Sequence, residues 1–329
     1  MDRPGAVGRL REAVAKFAET YLPGADRWSV GLSGGPDSLA LTAVAARLLP
    51  TTALIVDHGL QPDSAKVAGT AQAQAMDLGC VGAQVVCVDV GGDAFRGGPE
   101  AAARTARYAA LDDVRGSTPV LLGHTLDDQA ETVLLGLGRG SGTRSIAGMR
   151  SYDPPWCRPL LGVRREVTHA ACAELGLTPW QDPHNTDRRF TRTRLRREVL
   201  PLLEDVLGGG VAEALARTAT ALRENTELID ALAQQASLRA AAGAGLDTGV
   251  LAELPGPVRR AVIRGWLLAG GARDLTDMQI RRVDVLVTGW RGQGGVAVGS
   301  QLRGQRLVAG RGGVDGAGTG VLQLRREPI

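Results

Sequence analysis

Short apolar runs alternate with longer amphipathic or alanine-rich stretches through the first half of the chain. The apolar runs predict strands at residues 28–32, 52–57, 84–90 and 120–123. The stretches between them predict helices at residues 39–49, 63–78, 99–115 and 127–137. Strands that are apolar on both faces belong in a parallel sheet covered by helices. The succession therefore predicts a doubly wound α/β domain.

The pattern changes after Pro201. Three consecutive glycines at 208–210 suggest a hinge, and residues 211 to about 242 have the pattern of a long helix. A shorter helix at 258–268, another with Thr276 as its N-cap, and glycine-rich strands around 296–308 follow. We predict a larger α/β domain at 1–207 and a smaller α+β domain at 211–329 that begins with the long helix. The glycine-rich tail from 310 to 329 is expected to be only partly ordered.

Composition fits this two-domain organisation. A chain of 329 residues is long for one core, and 44% hydrophobic with 22% charged residues is typical of a globular protein. The four cysteines form no C-x-x-C pair, which disfavours metal or cluster ligation. With no apolar leader and no run of eighteen apolar residues, we expect a cytoplasmic protein without a membrane partner. The oligomeric state is left open, a dimer included.

Arginine is concentrated in one short segment. The net charge is only +3, and two of the 38 basic residues are lysine. Six arginines nevertheless lie within ten positions, at Arg188, Arg189, Arg192, Arg194, Arg196 and Arg197. This density suggests a polyanion as partner, although a solvated helix face would also explain it.

The segment after the first predicted strand is rich in phosphate-binding groups. It consists of Ser33, Gly34, Gly35, Pro36, Asp37 and Ser38. The glycines let the backbone approach an oxyanion, the hydroxyls add donors, and a helix start favours negative charge by about 0.3 to 1 kcal/mol. A capped strand-to-helix turn would need only the two glycines. We therefore predict a pyrophosphate-binding loop.

The hexapeptide differs from two common nucleotide loops. It lacks the lysine of G-x-x-x-x-G-K-S/T, so γ-phosphate transfer is not implied, and it lacks the G-x-G-x-x-G of dinucleotide sites. It resembles the S-G-G-x-D-S loop of the N-type ATP pyrophosphatases. That resemblance implies that ATP is bound and that the loop grips pyrophosphate while AMP is transferred.

Polar residues also follow the second strand and lie on the third predicted helix. Asp57 ends the strand, where it could support a nucleotide or a metal ion, or simply form a turn. Arg104 and Arg107 are spaced i, i+3 on the helix, so they share one side of it. Alone, this pair indicates little.

A further cluster follows the fourth predicted strand. It contains His124, Asp127, Asp128 and Glu131, which form one polar stripe if the helix includes His124. Three neighbouring carboxylates could coordinate Mg²⁺, the usual counterion of ATP, or clamp an ammonium group and tune its pKa. Acidic residues in a first turn also stabilise a helix without any other role. No metal-ligand set is assigned with certainty.

Five successive motifs resemble those of the tRNA(Ile)-lysidine synthetase family in order and spacing. They are H-x-x-D-D-Q-x-E-T at 124–132, R-G-S-G at 139–142, G-M at 148–149, R-P-L-L at 158–161 and D-P-x-N at 182–185. The resemblance covers 28–203 strongly, and 250–310 more faintly resembles that family's substrate-binding domain. The chain departs from the family pattern at Gln61, Ser145, Gln181 and His184. None of these departures touches the loop or the acidic stripe.

The resemblance implies a two-step reaction. ATP adenylylates the carbonyl oxygen on carbon 2 of the wobble cytidine in tRNA(Ile) with a CAU anticodon, and L-lysine then displaces AMP. It implies that Asp128 and Glu131 hold lysine, that Ser33 to Ser38 bind the phosphates and that Asp57 supports the nucleotide or a metal ion. His124 would shuttle a proton or contact phosphate, and Arg107 would neutralise phosphate charge, with Arg104 as a second candidate.

RNA contact is expected from the arginine-rich segment and the residue before it. Asn185 would position the extruded cytidine, and Arg192, Arg194, Arg196 and Arg197 would contact RNA phosphates or unpaired bases. A helix cap at Asn185 and solvated arginines are the simpler alternatives.

Three other functions remain in competition. A tRNA thiolase would use the same loop but generally needs paired cysteines or a persulfide donor. A small-molecule amidating synthetase would not need the arginine run. A non-catalytic RNA-binding module would not need the complete loop and acidic residues.

Overall fold

The computed structural model describes residues 4–59, 63–88, 99–138, 142–182, 187–301, 304–314 and 320–328. The chain forms two compact units. Unit 1 comprises Met1–Leu135 and Gly148–Arg217, and unit 2 comprises Gly136–Ala147 and Thr218–Ile329. Among the helices in the described ranges, none is long and apolar enough to cross a membrane.

The helices and strands up to residue 206 alternate much as the sequence predicts. In chain order they are α1 (Ala6–Tyr21), β1 (Trp28–Gly31), α2 (Pro36–Ala45), β2 (Thr51–Asp57), α3 (Ser64–Asp77), β3 (Gly82–Cys87), α4 (Pro99–Val114), β4 (Val120–Leu122), α5 (Leu126–Gly138), α6 (Thr143–Ile146), β5 (Tyr152–Asp153), β6 (Trp156–Cys157), α7 (Arg165–Glu174), α8 (Thr191–Arg194), a π-helical turn (Leu195–Val199) and α9 (Leu200–Val206). The four predicted strands and four predicted helices are all present, with shifted ends.

The sheet of unit 1 has the strand order β3-β2-β1-β4-β6-β5. All neighbouring strands are parallel except β5, which pairs antiparallel with β6. The chain moves outward from β1 to β3 and then returns to place β4 on the other side of β1. The predicted doubly wound parallel sheet is thus confirmed, with its reversal of strand order between β1 and β4.

Alternating side chains cover both faces of this sheet. Val30 and Leu121 pack in a core cluster with residues of α1, α2, α3 and α7. Leu54, Val120 and Leu122 point to the other face, where Leu111 of α4 joins them. Because both faces are buried, the strands read as continuous apolar runs in the sequence.

The rest of the chain forms a helix that begins in unit 1 and the bulk of unit 2. The elements are α10 (Val211–Ala240), β7 (Ala241–Ala242), β8 (Gly245–Asp247), α11 (Thr248–Glu253), α12 (Gly256–Ala269), β9 (Ala272–Arg273), α13 (Asp277–Thr288), β10 (Val296–Ser300), β11 (Gln305–Val314) and β12 (Gly320–Pro328). The second sheet has the order β7-β8-β12-β11-β10-β9, and its strands pair antiparallel.

Local signals place α13 correctly. Thr276 caps it through a capping box with Gln279, and Ile280, Val283 and Val287 are buried as predicted. The expectation for the tail is wrong for residues 320–328, which form β12 against β11. Leu322 of this strand is fully buried in the core of unit 2, which explains why a segment flanked by glycines is nevertheless a strand.

Candidate active site

A cavity of about 870 Å³ lies at the carboxyl ends of β1, β2 and β4, within unit 1. This is the edge at which the strand order reverses, where ligands of such sheets bind. Its volume is ample for a nucleotide, since ligand pockets usually measure about 300 to 1,000 Å³. The residues that matter most for its chemistry are Ser33, Asp37, Ser38, Asp57, His58, Arg107, His124, Asp128, Arg165 and Arg196.

The predicted phosphate loop joins β1 to α2 at the floor of this cavity. Gly34 has φ 79°, a left-handed conformation that favours glycine. The Ser33 amide donates to Ser38 Oγ at 3.2 Å, and the two serine hydroxyls lie 3.1 Å apart. The Trp180 amide donates to the Gly34 carbonyl at 2.9 Å. These contacts fix the loop next to the N-terminus of α2, the part of a helix that binds phosphate.

Gly123 is a site residue whose role the sequence did not reveal. A Cβ at this position would lie 2.9 Å from the backbone nitrogen of Ser38 and 3.0 Å from the carbonyl oxygen of Asp37. Only glycine allows the end of β4 to approach the first turn of α2 this closely.

One predicted site residue, Asp57, and one unexpected residue, His58, lie beside the loop. Asp57 is buried at the end of β2, and its Oδ1 accepts a hydrogen bond from the Gly59 amide at 2.9 Å. His58 follows it and lines the cavity. Burial, then the charge of Arg107, lowers the pKa of His58, so this imidazole is neutral near pH 7.

Arg107 reaches the end of β1. One of its terminal nitrogens lies 3.9 Å from the position that a Cβ on Gly31 would occupy. It forms no ion pair with a carboxylate in the ranges that the structure describes. Burial lowers its pKa, because a charged guanidinium is less stable away from water. Arg104, the second candidate, is exposed and stacks on Tyr108.

His124 lies before α5 rather than within it, so the condition for one four-residue stripe is not met. Burial, and next the charge of Arg107, lowers the pKa of His124 to about 3. The imidazole is therefore neutral at physiological pH. It can donate or accept a hydrogen bond, but it does not present a cation there.

Three carboxylates and two guanidiniums meet next to the phosphate loop. We call Asp37, Asp128 and Glu131 the acid cluster. Arg165 reaches all three, at 3.4 Å, 2.6 Å and 3.3 Å respectively. Arg196 lies 2.7 Å from Glu131 and 3.4 Å from Asp128.

The acid cluster contains two differently perturbed aspartates. Burial raises the pKa of Asp37, and Arg165 only partly offsets this effect. Burial also acts to raise the pKa of Asp128, but Arg165 and the Thr125 amide outweigh it, so that pKa lies below its usual value. Glu131 is fully buried. No group of three metal-ligating side chains in the described part of the chain could hold an ion.

Asp127 points away from this cluster. It lies 3.3 Å from Arg164, and its Oδ2 accepts the Arg165 amide at 2.7 Å, which caps α7. The sequence therefore grouped Asp127 with the wrong partners. Arg165 itself was missed, and the only local signal was its place four residues after the R-P-L-L motif.

The arginine-rich segment divides into two parts. Arg196 faces the acid cluster, whereas Arg194 is exposed and lies 3.3 Å from Glu198. Arg197 is exposed, and Arg192 is half-buried on α8. Asn185 falls outside the described residues.

The chain is similar to known proteins in both sequence and structure. Residues 8–203 match the PP-loop domain family, and residues 246–311 match the TilS substrate binding domain. The tRNA(Ile)-lysidine synthase of Mycobacterium bovis is 74% identical over 334 residues, covering 100% of both chains. The tRNA(Ile)-lysidine synthase of Nocardia farcinica is 59% identical over 320 residues, covering 97% of this chain and 98% of its own.

A solved structure with the same fold is the U34-tRNA thiolase of Methanococcus maripaludis with its 4Fe-4S cluster. It aligns with 67% of this chain and 80% of its own, with a TM-score of 0.54 and 18% identity. At this identity the likeness concerns the fold alone. The four cysteines of the present chain are free, and three of them are buried.

Proposed function

Because this chain belongs to the tRNA(Ile)-lysidine synthase family, we propose that it is a carbon–nitrogen ligase that joins L-lysine to the wobble cytidine of tRNA(Ile) with a CAU anticodon. The observation that carries the proposal is that two groups of residues meet at one cavity. The first is the phosphate loop with Arg107, which has no carboxylate partner among the described residues, and the second is Asp128 with Glu131, which shares its arginine partners. The first suits ATP and the second suits the ammonium group of lysine.

In the first step the cytidine is activated. Its O2 attacks the α-phosphorus of ATP, the bond from that phosphorus to the bridging oxygen breaks, and the electron pair leaves with pyrophosphate. Ser33 to Ser38 bind the leaving group through amides and hydroxyls, and Arg107 balances the charge on the α-phosphate. His124 acts here as a neutral hydrogen-bonding group. Its lowered pKa disfavours the imidazolium form that would be needed to donate a proton.

Mg²⁺ would accompany the phosphates of ATP as their counterion. The acid cluster does not have the geometry of a metal site, since no group of three ligating side chains among the described residues could hold an ion. Asp57 is the carboxylate best placed to support a phosphate-bound ion, since Mg²⁺ usually keeps several waters and takes one or two protein carboxylates.

In the second step lysine displaces AMP. The lysine nitrogen, once deprotonated, attacks carbon 2, and the carbon–oxygen bond to AMP breaks with its electron pair. Asp128 and Glu131 would hold the ammonium group before this attack. Arg165 and Arg196 occupy these carboxylates in the structure, so lysine must replace one of them. Arg196 is the one to move, because its side chain is 31% exposed against 14% for Arg165.

The tRNA would bind to surfaces of both proposed domains. Residues 1–207 would carry the chemistry, with Asn185, Arg192, Arg194 and Arg197 near the anticodon, while residues 211–329 would contact other parts of the tRNA. Arg196 would contact RNA only after it leaves the acid cluster. Because the proposed substrates are tRNA and ATP, we expect the enzyme to act in the cytoplasm.

The reaction is tested by incubating the protein with ATP, labelled lysine and a tRNA(Ile) transcript that carries CAU. We expect ATP-dependent incorporation of label into this RNA and none into a tRNA(Met) transcript. Incorporation without ATP, or no incorporation at all, would contradict the proposed function. Ammonium or a sulfur donor in place of lysine tests the amidating and thiolating alternatives.

The lysine site is tested by Asp128→Asn, which keeps the shape and the hydrogen bond from Thr125. We expect the KM for lysine to rise at least tenfold, since one ion pair is lost. The rate of tRNA-dependent exchange of pyrophosphate into ATP, measured without lysine, should stay within about threefold of the wild-type rate. An unchanged KM for lysine would exclude Asp128 from the lysine site.

A further inference from the structure

Two guanidinium groups converge on the hydroxyl of Tyr108, on α4. A terminal nitrogen of Arg104, one helical turn earlier, donates to this oxygen at 3.3 Å, and its guanidinium carbon lies 5.0 Å from the centre of the Tyr108 ring. A terminal nitrogen of Arg158, which follows β6, donates to the same oxygen, also at 3.3 Å. Trp156 of β6 packs edge-on against the ring, with centroids 4.7 Å apart. We call Arg104, Tyr108 and Arg158 the tyrosine cluster.

The tyrosine cluster carries two positive charges without a carboxylate to balance them. Neither Arg104 nor Arg158 forms an ion pair in the ranges that the structure describes. Arg158 is 6% exposed, and its Nε has no hydrogen-bond partner among the described residues. Stacking on an aromatic ring stabilises one cation, but it does not relieve the repulsion between two. An anion bound between them would.

The Tyr108 hydroxyl is suited to bind such an anion. It accepts hydrogen bonds from both arginines, so its own hydrogen remains available to donate. Exposure decreases across the cluster, because Arg104 is exposed, Tyr108 is half-buried and Arg158 is buried. A ligand that arrives from solvent therefore contacts Arg104 and the hydroxyl directly, while Arg158 adds its charge from behind.

Arg158 lies at the same level of the sheet as the end of β1, two strands away. Gly31 of β1 pairs with Leu122 of β4, and Cys157 of β6 pairs with the residue before Leu122. Arg158 follows Cys157, so its backbone is level with Gly31. Neighbouring strands are about 4.8 Å apart, which places Arg158 about 10 Å across the sheet from the strand that leads into the phosphate loop.

His124 connects the tyrosine cluster to the cavity. It follows β4, the strand between β1 and β6, and it lines the cavity. Burial lowers its pKa most, and the charges of Arg107, Arg158 and Arg104 lower it further, so all three guanidiniums lie near this imidazole. Seen from the phosphate loop, the cluster therefore lies beyond the place where the α-phosphate of ATP would react.

The position of the cluster favours RNA over ATP as the source of the anion. The phosphate loop accounts for pyrophosphate and Arg107 for the α-phosphate, so no phosphate of ATP is left for a site about two strands away. In the proposed reaction the cytidine base attacks the α-phosphorus, and the two phosphates that flank this nucleotide are only one sugar away from its base.

We propose that the tyrosine cluster binds a phosphate of the tRNA backbone that flanks the wobble cytidine. The inference rests on the proposed function and adds to it an RNA contact outside the arginine-rich segment. Arg104 and the Tyr108 hydroxyl donate to the non-bridging oxygens of this phosphate, and the buried charge of Arg158 strengthens both contacts. No proton is transferred. The contact positions the cytidine so that O2 faces ATP.

The test removes single charges from the RNA and from the protein. Transcripts of tRNA(Ile) with a CAU anticodon are prepared with one neutral methylphosphonate, at either phosphate that flanks the wobble cytidine or, as a control, in the acceptor stem. The full-length wild type is compared with Arg104→Gln and with Tyr108→Phe, which keeps the ring against Trp156. Arg11→Gln, at an exposed position on α1, is the matched control for the loss of one charge. Filter binding without ATP and lysine measures the affinity.

We expect a methylphosphonate at one flanking position to weaken binding about tenfold for the wild type and for Arg11→Gln, because charge-assisted hydrogen bonds are lost. The same RNA should weaken binding by Arg104→Gln less than about threefold, since part of the contact is already absent, and Tyr108→Phe should lie between. The acceptor-stem methylphosphonate should affect all four proteins equally. In the complete reaction, the KM for ATP of Arg104→Gln should stay within about twofold of the wild-type value.

Three results would overturn the inference. The first is a wild type that loses no affinity for either flanking methylphosphonate, and the second is an equal loss in the wild type and in both cluster variants. The third is a higher KM for ATP in Arg104→Gln with unchanged affinity for unmodified tRNA, which would assign the cluster to ATP. The binding measurement needs no turnover, so it is independent of the proposed function, which fails if the wild type does not incorporate lysine.

Discussion

His124 connects burial directly to the pH dependence of stability. Its pKa is lowered from 6.5 to about 3, so the folded protein keeps it neutral where the unfolded chain is protonated. The unfolded state therefore binds more protons between these values, and the free energy of unfolding falls as pH falls through this window. We expect His124→Asn to remove this contribution. Between pH 7 and pH 5 the wild type should lose about 2 kcal/mol more than the variant.

Urea unfolding at the two pH values, at one ionic strength, measures this difference. His169→Asn is the matched control, because His169 is an exposed imidazole on α7. That control should lose stability as the wild type does. Parallel behaviour of wild type and His124→Asn would contradict the assignment.

Gly123 makes a second prediction at the scale of one residue. An added Cβ would push against the backbone of Asp37 and Ser38, which cannot yield as a flexible side chain would. Gly123→Ala should displace the first turn of α2 and raise the KM for ATP about tenfold or more, since small displacements at a reacting site cost this much. Gly69→Ala on α3 meets no atom within 4 Å and should leave the KM for ATP unchanged.

The sequence revealed some residues of the site and hid others for a physical reason. The phosphate loop and the pair of Asp128 with Glu131 are local patterns, so reading along the chain finds them. Arg165 meets Asp128 across 37 positions, a contact that only the packing of α7 against α2 and α5 creates. The sequence grouped Asp127 with Asp128 and Glu131 because they are close along the chain. In the structure Asp127 instead contacts Arg164 and the amide of Arg165.

At the scale of whole elements, Arg165 joins three helices. It lies on α7 and pairs with Asp37 on α2 and with Asp128 and Glu131 on α5. Arg165→Met should destabilise the fold by about 3 to 5 kcal/mol, because Asp37 loses its arginine partner and the buried Asp128 and Glu131 keep only Arg196. Arg165→Lys should recover only part of this loss, since an ammonium group cannot form the same forked contacts.

Arg164→Met is the matched control for that experiment. Arg164 is the preceding residue, and it pairs with Asp127, Glu204 and Glu213. These partners are all more exposed than Glu131, so we expect less than half the loss, measured by urea unfolding at pH 7. Equal losses would mean that the buried cluster has no special role in stability.

The strands of the parallel sheet were easier to predict than the last strand of the chain. The strands of the parallel sheet are buried on both faces and were all found. In β12, the buried Val321 and Leu322 are followed within a few positions by exposed arginines, so the sequence has no regular strand pattern. The strand forms because it pairs with β11. Composition alone therefore suggested a loose tail. The helix α1 was also missed, although its buried residues recur at every third or fourth position, the spacing typical of an amphipathic helix.

For the whole molecule, charge is distributed unevenly rather than being high. A net charge of +3 gives only a weak overall attraction to RNA. Arg196 is neutralised by the acid cluster, whereas Arg194 and Arg197 are exposed on the same segment. Binding of tRNA should consequently depend on a few local contacts, and its salt dependence should report how many of them there are.

Replacing Arg194 and Arg197 together by glutamine tests this view of binding. Each lost phosphate contact lowers the slope of log affinity against log salt by about 0.9, so the double variant should lose close to two units if both arginines contact phosphates. Arg11 and Arg27, exposed in and after α1, provide a control with the same change in charge. Filter binding of the tRNA(Ile) transcript from 50 to 300 mM salt measures both slopes. An equal slope in the two double variants would show that net charge, rather than this segment, determines the binding of tRNA.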